Sequence, residues 1–352
     1  MANLVHTYQL IADILNVNDT TIDTLTLKLK TEAIDWDSVV VEGSKHLVLP
    51  ALYCRLKSKH VISYLPQELQ DYLKAITSIN RNRNKAILKQ ALDLSQLLTT
   101  HKIDHVFLKG TALCATNYFE DNAERMIGDI DILIEKTRLN EAYALLEKQG
   151  YTGVKTTLGT DFFEHKHLPR LISKDHIGAV ELHLKLFMTY QLDALSAEHI
   201  LKHKNQNFDI NIPSNTHLLM HNILNYEVND FGKLYHTINF RAAYDTIVLL
   251  PKINTAHLKQ TFNKTPFKSY LKKLNLFFSS LHEAITLKPT LVNTFYLVRL
   301  KYRLLYVIHY KGIKTLSFTK VLLHRVYMFG YNTKYRKAVW NDRARIIKAL
   351  TK

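Results

Sequence analysis

Apolar side chains recur at helical intervals through the first hundred residues. Ile87, Ala91, Leu94 and Leu98 form one stripe, with Arg81, Arg83, Lys85 and Lys89 beside it. This predicts a helical N-terminal region over 1–100. The pattern changes at 105–108 (HVFL), a short apolar run closed by Lys109 and Gly110, and again at 130–135 (IDILIE), where apolar and acidic residues alternate as on a half-buried strand. Between these, 111–118 can form a helix. Thr137 is placed to cap a helix carrying Leu139, Ala142, Leu145 and Leu146, with Gly150 where the chain leaves it. Two more strand-like runs follow, 162–168 and 179–186 (AVELHLKL), separated by Pro169 and a turn between Lys174 and Gly178, so they can pair as a hairpin. From Asp193 the pattern reads as helical to the end, with Leu297, Leu300, Leu304 and Ile308 on one face. The expected class is α/β (α+β): a small mixed sheet in a core over 101–190, flanked by helical regions at 1–100 and 191–352.

Composition supports the helical bias, because 10 Gly and 7 Pro in 352 residues are few for a loop-rich β architecture. Cys54 and Cys114 are too few for a disulfide framework or a cysteine-rich zinc site, and their apolar helical contexts mark them as reduced core residues. The first twenty residues lack a basic segment and a small-residue cleavage site. No apolar run approaches the roughly 18 to 20 residues of a membrane span, so the expected address is cytoplasmic. Charge is uneven. From Arg299 to Lys352 there are 14 Lys and Arg against one acid, Asp342, and that excess of +13 leaves +3 of the net +16 for the rest. Tyrosines interleave this basic stretch, which suits nucleic acid, an anionic membrane surface or a solvated helix face.

Candidate chemistry centres on Asp129 and Asp131. Two residues apart on a strand, they leave the same face while Ile130 and Ile132 point to the other. Carboxylates placed so repel unless something neutralises them, and Mg²⁺ does so by joining protein carboxylates to substrate phosphates. Upstream, Lys109, Gly110 and Thr111 stand at a strand-to-helix turn where the glycine lets backbone approach a phosphate and the Thr111 hydroxyl could add a donor. Arg125, four residues before Asp129, brings a guanidinium fork suited to phosphate oxygens. The histidine pairs His217/His221 and His165/His167 have spacings seen in zinc sites, but no third ligand is in view and packing is the expected role.

The run LKGTALCATNYFEDNAERMIGDIDILIE (108 to 135) resembles the DNA polymerase β-like nucleotidyltransferases, and within them a bacterial family of uncharacterised nucleotidyltransferases. Further matches are Trp36 with the LPALYCRL segment, Gly150 and Tyr151, the VELH segment at 180 to 183, and His221 with Asp245, so the likeness spans most of 35–250 but not the basic stretch. Thr111 stands where the superfamily often has Ser, and 17 residues separate it from Asp129, longer than in minimal members. The resemblance implies a nucleotidyltransferase core in which Asp129, Asp131 and, on a later strand, Glu181 are catalytic and hold Mg²⁺ or Mn²⁺. Glu164 is the rival to Glu181. Lys109, Gly110, Thr111 and Arg125 would bind the nucleotide. The implied reaction moves a nucleoside monophosphate from an NTP to a hydroxyl acceptor: a small molecule, a saccharide or a protein. The alternative is an inactive nucleotide-binding or scaffold protein held on nucleic acid or anionic membrane by the basic stretch. Intact Lys109, Gly110, Asp129, Asp131 and Glu181 favour the enzyme.

Overall fold

The computed structural model describes residues 3–17, 21–154, 162–188, 190–254, 258–278, 287 and 290–350; residues 351 and 352, the end of the basic stretch, lie outside them. Five helices come first: α1 (Leu4–Leu15), α2 (Ile22–Thr31), α3 (Trp36–Lys45), α4 (Leu49–Ser58) and α5 (Gln67–Thr100). Side-chain caps start α1 at Asn3 and α3 at Asp35, and Pro50 occupies the first turn of α4, where its missing N–H costs no helical hydrogen bond. The expected stripe of α5 is buried, and it continues upward through Leu73, Thr77, Asn80 and Asn84.

The polar members of that stripe position the later chain. Asn80 donates to the carbonyl of Ala123, Asn84 to those of Asn122 and Arg125, and Arg83 to those of Ile127 and Gly128. Gln90 both donates to Gly178 O (2.8 Å) and accepts from Gly178 N (3.0 Å). One helix therefore satisfies the backbone polar groups of the segment before Asp129 and of the approach to the VELH strand.

The core follows: β1 (His105–Phe107), α6 (Lys109–Cys114), β2 (Ile130–Ile134), α7 (Leu139–Lys148), β3 (Thr152–Gly153), β4 (Leu171–Ile172) and β5 (Val180–His183). The sheet has order β1-β2-β5-β4-β3; β2 and β5 are parallel and the other pairs antiparallel, so it is mixed as expected. Strand β2 is buried along its whole length, not half-buried. Ile130, Ile132, Val180 and Leu182 are fully buried, each contributing about 1.5–3 kcal/mol. Asp131 and Leu133 are buried too, because the acidic face is covered by chain.

Two of the local expectations here need correction. Thr137 does not cap α7. A 3-10 turn over Lys136–Arg138 precedes that helix, pinned by Arg138, which pairs with Glu141 and donates to the carbonyls of His101 and Lys102. Gly150 does leave α7 in the left-handed region, at φ 86°. The run 162–168 is not a strand; it reaches β5 only through an antiparallel bridge between His167 and His183, and pairing resumes after Pro169 in the short β4.

Beyond the core lie α8 (Ala197–Lys202), β6 (Asn205–Asn207), β7 (Ile210–Ile212), α9 (Asn215–Leu224), α10 (Gly232–Tyr235), α11 (Phe240–Leu249), α12 (Lys259–Phe262), α13 (Thr265–Leu274), α14 (Leu291–Lys301), α15 (Arg303–Tyr331), α16 (Thr333–Asn341) and α17 (Arg343–Leu350). The hairpin β6–β7 interrupts the all-helical expectation. Its two turn residues, Phe208 and Asp209, both have positive φ (47° and 60°), a geometry usually signalled by Asn-Gly or Asp-Gly. The face expected to unite Leu300 and Leu304 is broken at Tyr302, where α14 ends. Leu300 is fully buried while Leu304 is 71% exposed. Arg299 likewise belongs to the core, donating to the carbonyls of Tyr235 and His236. One contiguous apolar cluster runs from Tyr8 to Leu300, whereas α15 buries none of its residues. No helix among the described residues is long and apolar enough to cross a membrane.

Candidate active site

Parallel pairing of β2 with β5 sets Asp131 opposite Glu181 and Leu133 opposite His183. Period-two alternation then puts Asp131, Glu181 and His183 on one face, and ligand atoms of these three lie within 4.8 Å of one another. Asp129 sits just before β2 at the lip of the sheet, half-buried. The rival Glu164 is at the surface, its carboxylate 76% exposed and paired with Lys185.

Cations partly neutralise the cluster. Lys109 Nζ donates to Asp131 Oδ1 at 2.5 Å. Arg170 spans the other two carboxylates, donating to Asp129 Oδ2 (2.8 Å) and to Glu181 Oε1 (2.9 Å from Nη2, 3.1 Å from Nε). His183 Nε2 lies 2.9 Å from Asp131 Oδ1; a carboxylate can only accept, so the proton sits on Nε2, and Nδ1 is buried without a partner among the described residues. These contacts use Oδ2 of Asp129, Oδ1 of Asp131 and Oε1 of Glu181. Among the described residues each carboxylate keeps a second oxygen free of hydrogen bonds, and Glu181 Oε2 has only His167 and His183 at 3.7 and 3.6 Å. Carboxylate oxygens are the hard donors that Mg²⁺ and Mn²⁺ take, and the atoms close enough to share an ion are those of Asp131, Glu181 and His183, with Asp129 outside that group.

The three acids are tuned apart. Burial opposes ionisation of Asp131, yet Lys109 and His183 hold its carboxyl far below the usual range. Burial also opposes ionisation of Glu181, but the His183 contact, His167 and Arg170 bring it down to about 2. Asp129 goes the other way, raised by burial and by its two acidic neighbours despite Arg170. Lys109 remains protonated, because Asp131 outweighs the burial that would otherwise discharge it.

The other expected nucleotide-binding residues lie close by but differ in availability. Lys109, not Gly110, adopts the left-handed backbone, at φ 51°. Gly110 is buried, with an Arg125 nitrogen and Ile127 each 3.5 Å from where a Cβ would stand. Thr111 is fully buried and its hydroxyl has no partner among the described residues. Arg125 is buried and its Nε contacts both oxygens of Asp245 (2.7 and 2.9 Å), which ties the segment before β2 to α11. Arg125 and Lys109 nonetheless line a small cavity of about 50 Å³, with His221, Asn225, Tyr226, Asp230, Arg241 and Asp245. His221 is neutral there, lowered to about 3 by burial and by Lys109. Of the histidine pairs, His217 packs against the rings of His199 and His203, and the described residues bring no three-ligand set around it. Cys54 and Cys114 are buried, unpaired thiols pushed up to about 12, chiefly by burial.

Sequence reasoning missed Arg170, Lys166, Asp230 and Arg241. Arg170 contacts two of the acids, Asp230 and Arg241 line the cavity, and each of the four lies in a segment without a motif, so no local spacing announces it.

A mixed sheet flanked by helices, with Asp129 and Asp131 at the start of a strand laid parallel to one carrying a third carboxylate, is a nucleotidyltransferase-like fold. The chain belongs to the family described as uncharacterised nucleotidyltransferase, whose model matches residues 32–283. Among solved structures it is similar to an antigenic nucleotidyltransferase-like protein from Paracoccidioides brasiliensis, at 18% identity and a TM-score of 0.39, over 60% of this chain and 97% of that one. No curated protein matches the sequence.

Proposed function

We propose that the protein is a divalent-metal-dependent enzyme that transfers a nucleoside monophosphate from an NTP to a hydroxyl group of an acceptor. The observation that carries this reading is the trio Asp129, Asp131 and Glu181, each with one uncommitted oxygen, beside a small cavity lined by Lys109, Arg125 and Arg241 as well as Asp230 and Asp245. Asp129, Asp131 and Glu181 are the proposed catalytic and metal-holding residues. Lys109, Gly110, Thr111 and Arg125 are the proposed nucleotide-binding set, in which the Thr111 contact is through the backbone because its hydroxyl is buried. Mg²⁺ or Mn²⁺, when bound, supplies positive charge to the triphosphate and lowers the pKa of the attacking hydroxyl.

The residues do the rest. Lys109 keeps Asp131 ionised and oriented from one side, and His183 from the other. Arg170 bridges Asp129 and Glu181, holding together two of the carboxylates that would take up the ion. Asp129, at the lip, is the most exposed of the three carboxylates, its side chain 30% exposed against 11% for Glu181 and 6% for Asp131. A cytoplasmic setting agrees with the reduced, buried cysteines. The basic helices from Arg303 onward, exposed and nearly free of acids, suit docking on a polyanion such as nucleic acid or an anionic membrane surface.

The test is incubation with each α-labelled NTP, Mg²⁺ or Mn²⁺ and host lysate. A labelled product that disappears in Asp131→Asn is expected; no labelling with any NTP or metal removes the proposal.

A further inference from the structure

Helix α15 runs for 29 residues, about 43 Å, and buries none of them. Its contact with the rest of the chain is one-sided. Tyr306, His309, Ile313 and Ser317, three and four positions apart, are half-buried. Beside them Tyr310 stacks on Tyr235 (ring centroids 4.8 Å apart), and His309 accepts from Arg299. Farther along the same side, the ring of His324 lies 5.8 Å from that of Phe163.

The opposite side carries a stripe without a charge. Leu304 and Ile308 begin it, and Leu322 and Val326 follow about five turns later at the same azimuth, with Leu316 and Leu323 alongside. All six are 47–71% exposed. Gly312, Thr315, Thr319 and Gly330 complete the stripe, and a Cβ built at either glycine would meet no atom within 4 Å. A surface helix ordinarily turns such a stripe to the core, whereas α15 turns it to solvent.

Charge is arranged around the stripe. Helix α15 has five Lys and Arg and no acid; Lys311 and Arg325 fall on one flank, and Lys320 on the other with Tyr327. Basic side chains so placed can bury their stems and hold their cations at the level of anionic headgroups while the aliphatic groups enter the acyl layer. Not apolar enough to cross a bilayer, such a helix lies along its surface. Nucleic acid fits less well, because Leu, Ile and Val cannot stack on bases and binding through the basic flanks would leave the stripe in water. A second copy also fits less well: pairing stripe to stripe would set basic flanks against basic flanks, with no acid on α15 to oppose them.

We infer that α15 is an in-plane membrane anchor, its stripe from Leu304 to Val326 immersed in the surface of a bilayer containing anionic lipid. This rests on the polyanion-docking reading and narrows it to one partner; it is independent of the transfer reaction.

The experiment is flotation of the full chain with vesicles of phosphatidylcholine, with or without an equal part of phosphatidylglycerol, alongside retention on single-stranded DNA. Combining Ile308→Gln, Leu322→Gln and Val326→Gln leaves every charge in place. It should weaken binding to the anionic vesicles by about 10-fold or more and leave DNA retention unchanged. Combining Lys311→Gln with Lys320→Gln should lower binding to the anionic vesicles and not to the neutral ones. Because the stripe is exposed, thermal melting of these variants should match wild type. As a second readout, Ile308→Trp should add fluorescence that brominated acyl chains quench. The anchor is overturned if the triple variant floats as wild type does, or if the Ile308→Trp signal is not quenched. It is overturned too if DNA retains the chain and vesicles do not, which leaves docking standing with nucleic acid as the partner. A change only from dimer to monomer by light scattering would overturn it by making the stripe an interface between copies. Retention by neither polyanion removes the docking reading as well.

Discussion

Replacing Asp131 with Asn separates two views of the acidic pair. Like-charge repulsion alone makes either aspartate a burden without metal, so that Asn at either position would stabilise the fold. The structure says otherwise for Asp131. Its side chain is 6% exposed and its Oδ1 takes both Lys109 (2.5 Å) and His183 (2.9 Å). The Asp131→Asn change would leave the Lys109 ammonium without its counterion. Breaking a buried ion pair by removing one partner costs roughly 3–5 kcal/mol, and because the Lys109 side chain keeps a quarter of its exposure, water recovers part of that, leaving ~2–4 kcal/mol. Asp129 is different: its ion-pair partner among the described residues is the solvent-facing Arg170, a class of pair worth about 0–1 kcal/mol, and burial with two acidic neighbours already disfavours its charge. Urea denaturation at pH 7 with EDTA should therefore show Asp131→Asn clearly less stable than wild type and Asp129→Asn within about 1 kcal/mol of it, in either direction. A double-mutant cycle with Lys109→Met should return a coupling of about 1 kcal/mol or more for Asp131 and little for Asp129. Equal stability of the two Asn variants, or no coupling between Lys109 and Asp131, would refute the reasoning.

The Glu181 carboxyl lies at about 2 in the fold against 4.5 when free, so its stabilising contribution is full above pH 4.5 and is lost as pH falls toward 2. Acid titration of unfolding should be steeper in that window for wild type than for Glu181→Gln, and parallel curves would count against the pairing with Arg170 and His183. Asp245→Asn should destabilise by about 3–5 kcal/mol, since it strands the buried Arg125 guanidinium; a change under about 1 kcal/mol by chemical denaturation would contradict this. Phe208→Asn should stabilise the hairpin by about 0.5–1 kcal/mol, because Asn tolerates the positive φ and an aromatic ring 64% exposed loses little contact; the melting temperature reads it. Removing residues 303–352, which spares the buried Arg299 and Leu300, should reduce retention on polyanion columns or anionic vesicles, steeply salt-dependent in the intact chain. Unchanged retention would make α15 to α17 ordinary structure.

What the chain determined locally follows from periodicity and from residues that constrain their own backbone. The stripe of α5 repeats at intervals that only a helix brings to one face, and Gly150 sits at the positive φ that ends α7. The alternation in IDILIE and VELH placed Asp131 on one face of its strand and Glu181 with His183 on one face of theirs. Which faces meet was a tertiary matter. The choice of Glu181 over Glu164 leaned on a resemblance, whereas the parallel register of β2 and β5 is what sets Glu181 opposite Asp131 and leaves Glu164 at the surface with Lys185. The break at Tyr302 was equally illegible, because Leu300 and Leu304 share a helical face on paper and are parted by one extended residue. Arg170, Lys166, Asp230 and Arg241 come from four separated positions, each unremarkable among its own neighbours. Charge acts through space and not along the chain, so the electrostatics of the site, unlike the helices and strands that build it, were decided only when the fold brought those four groups together.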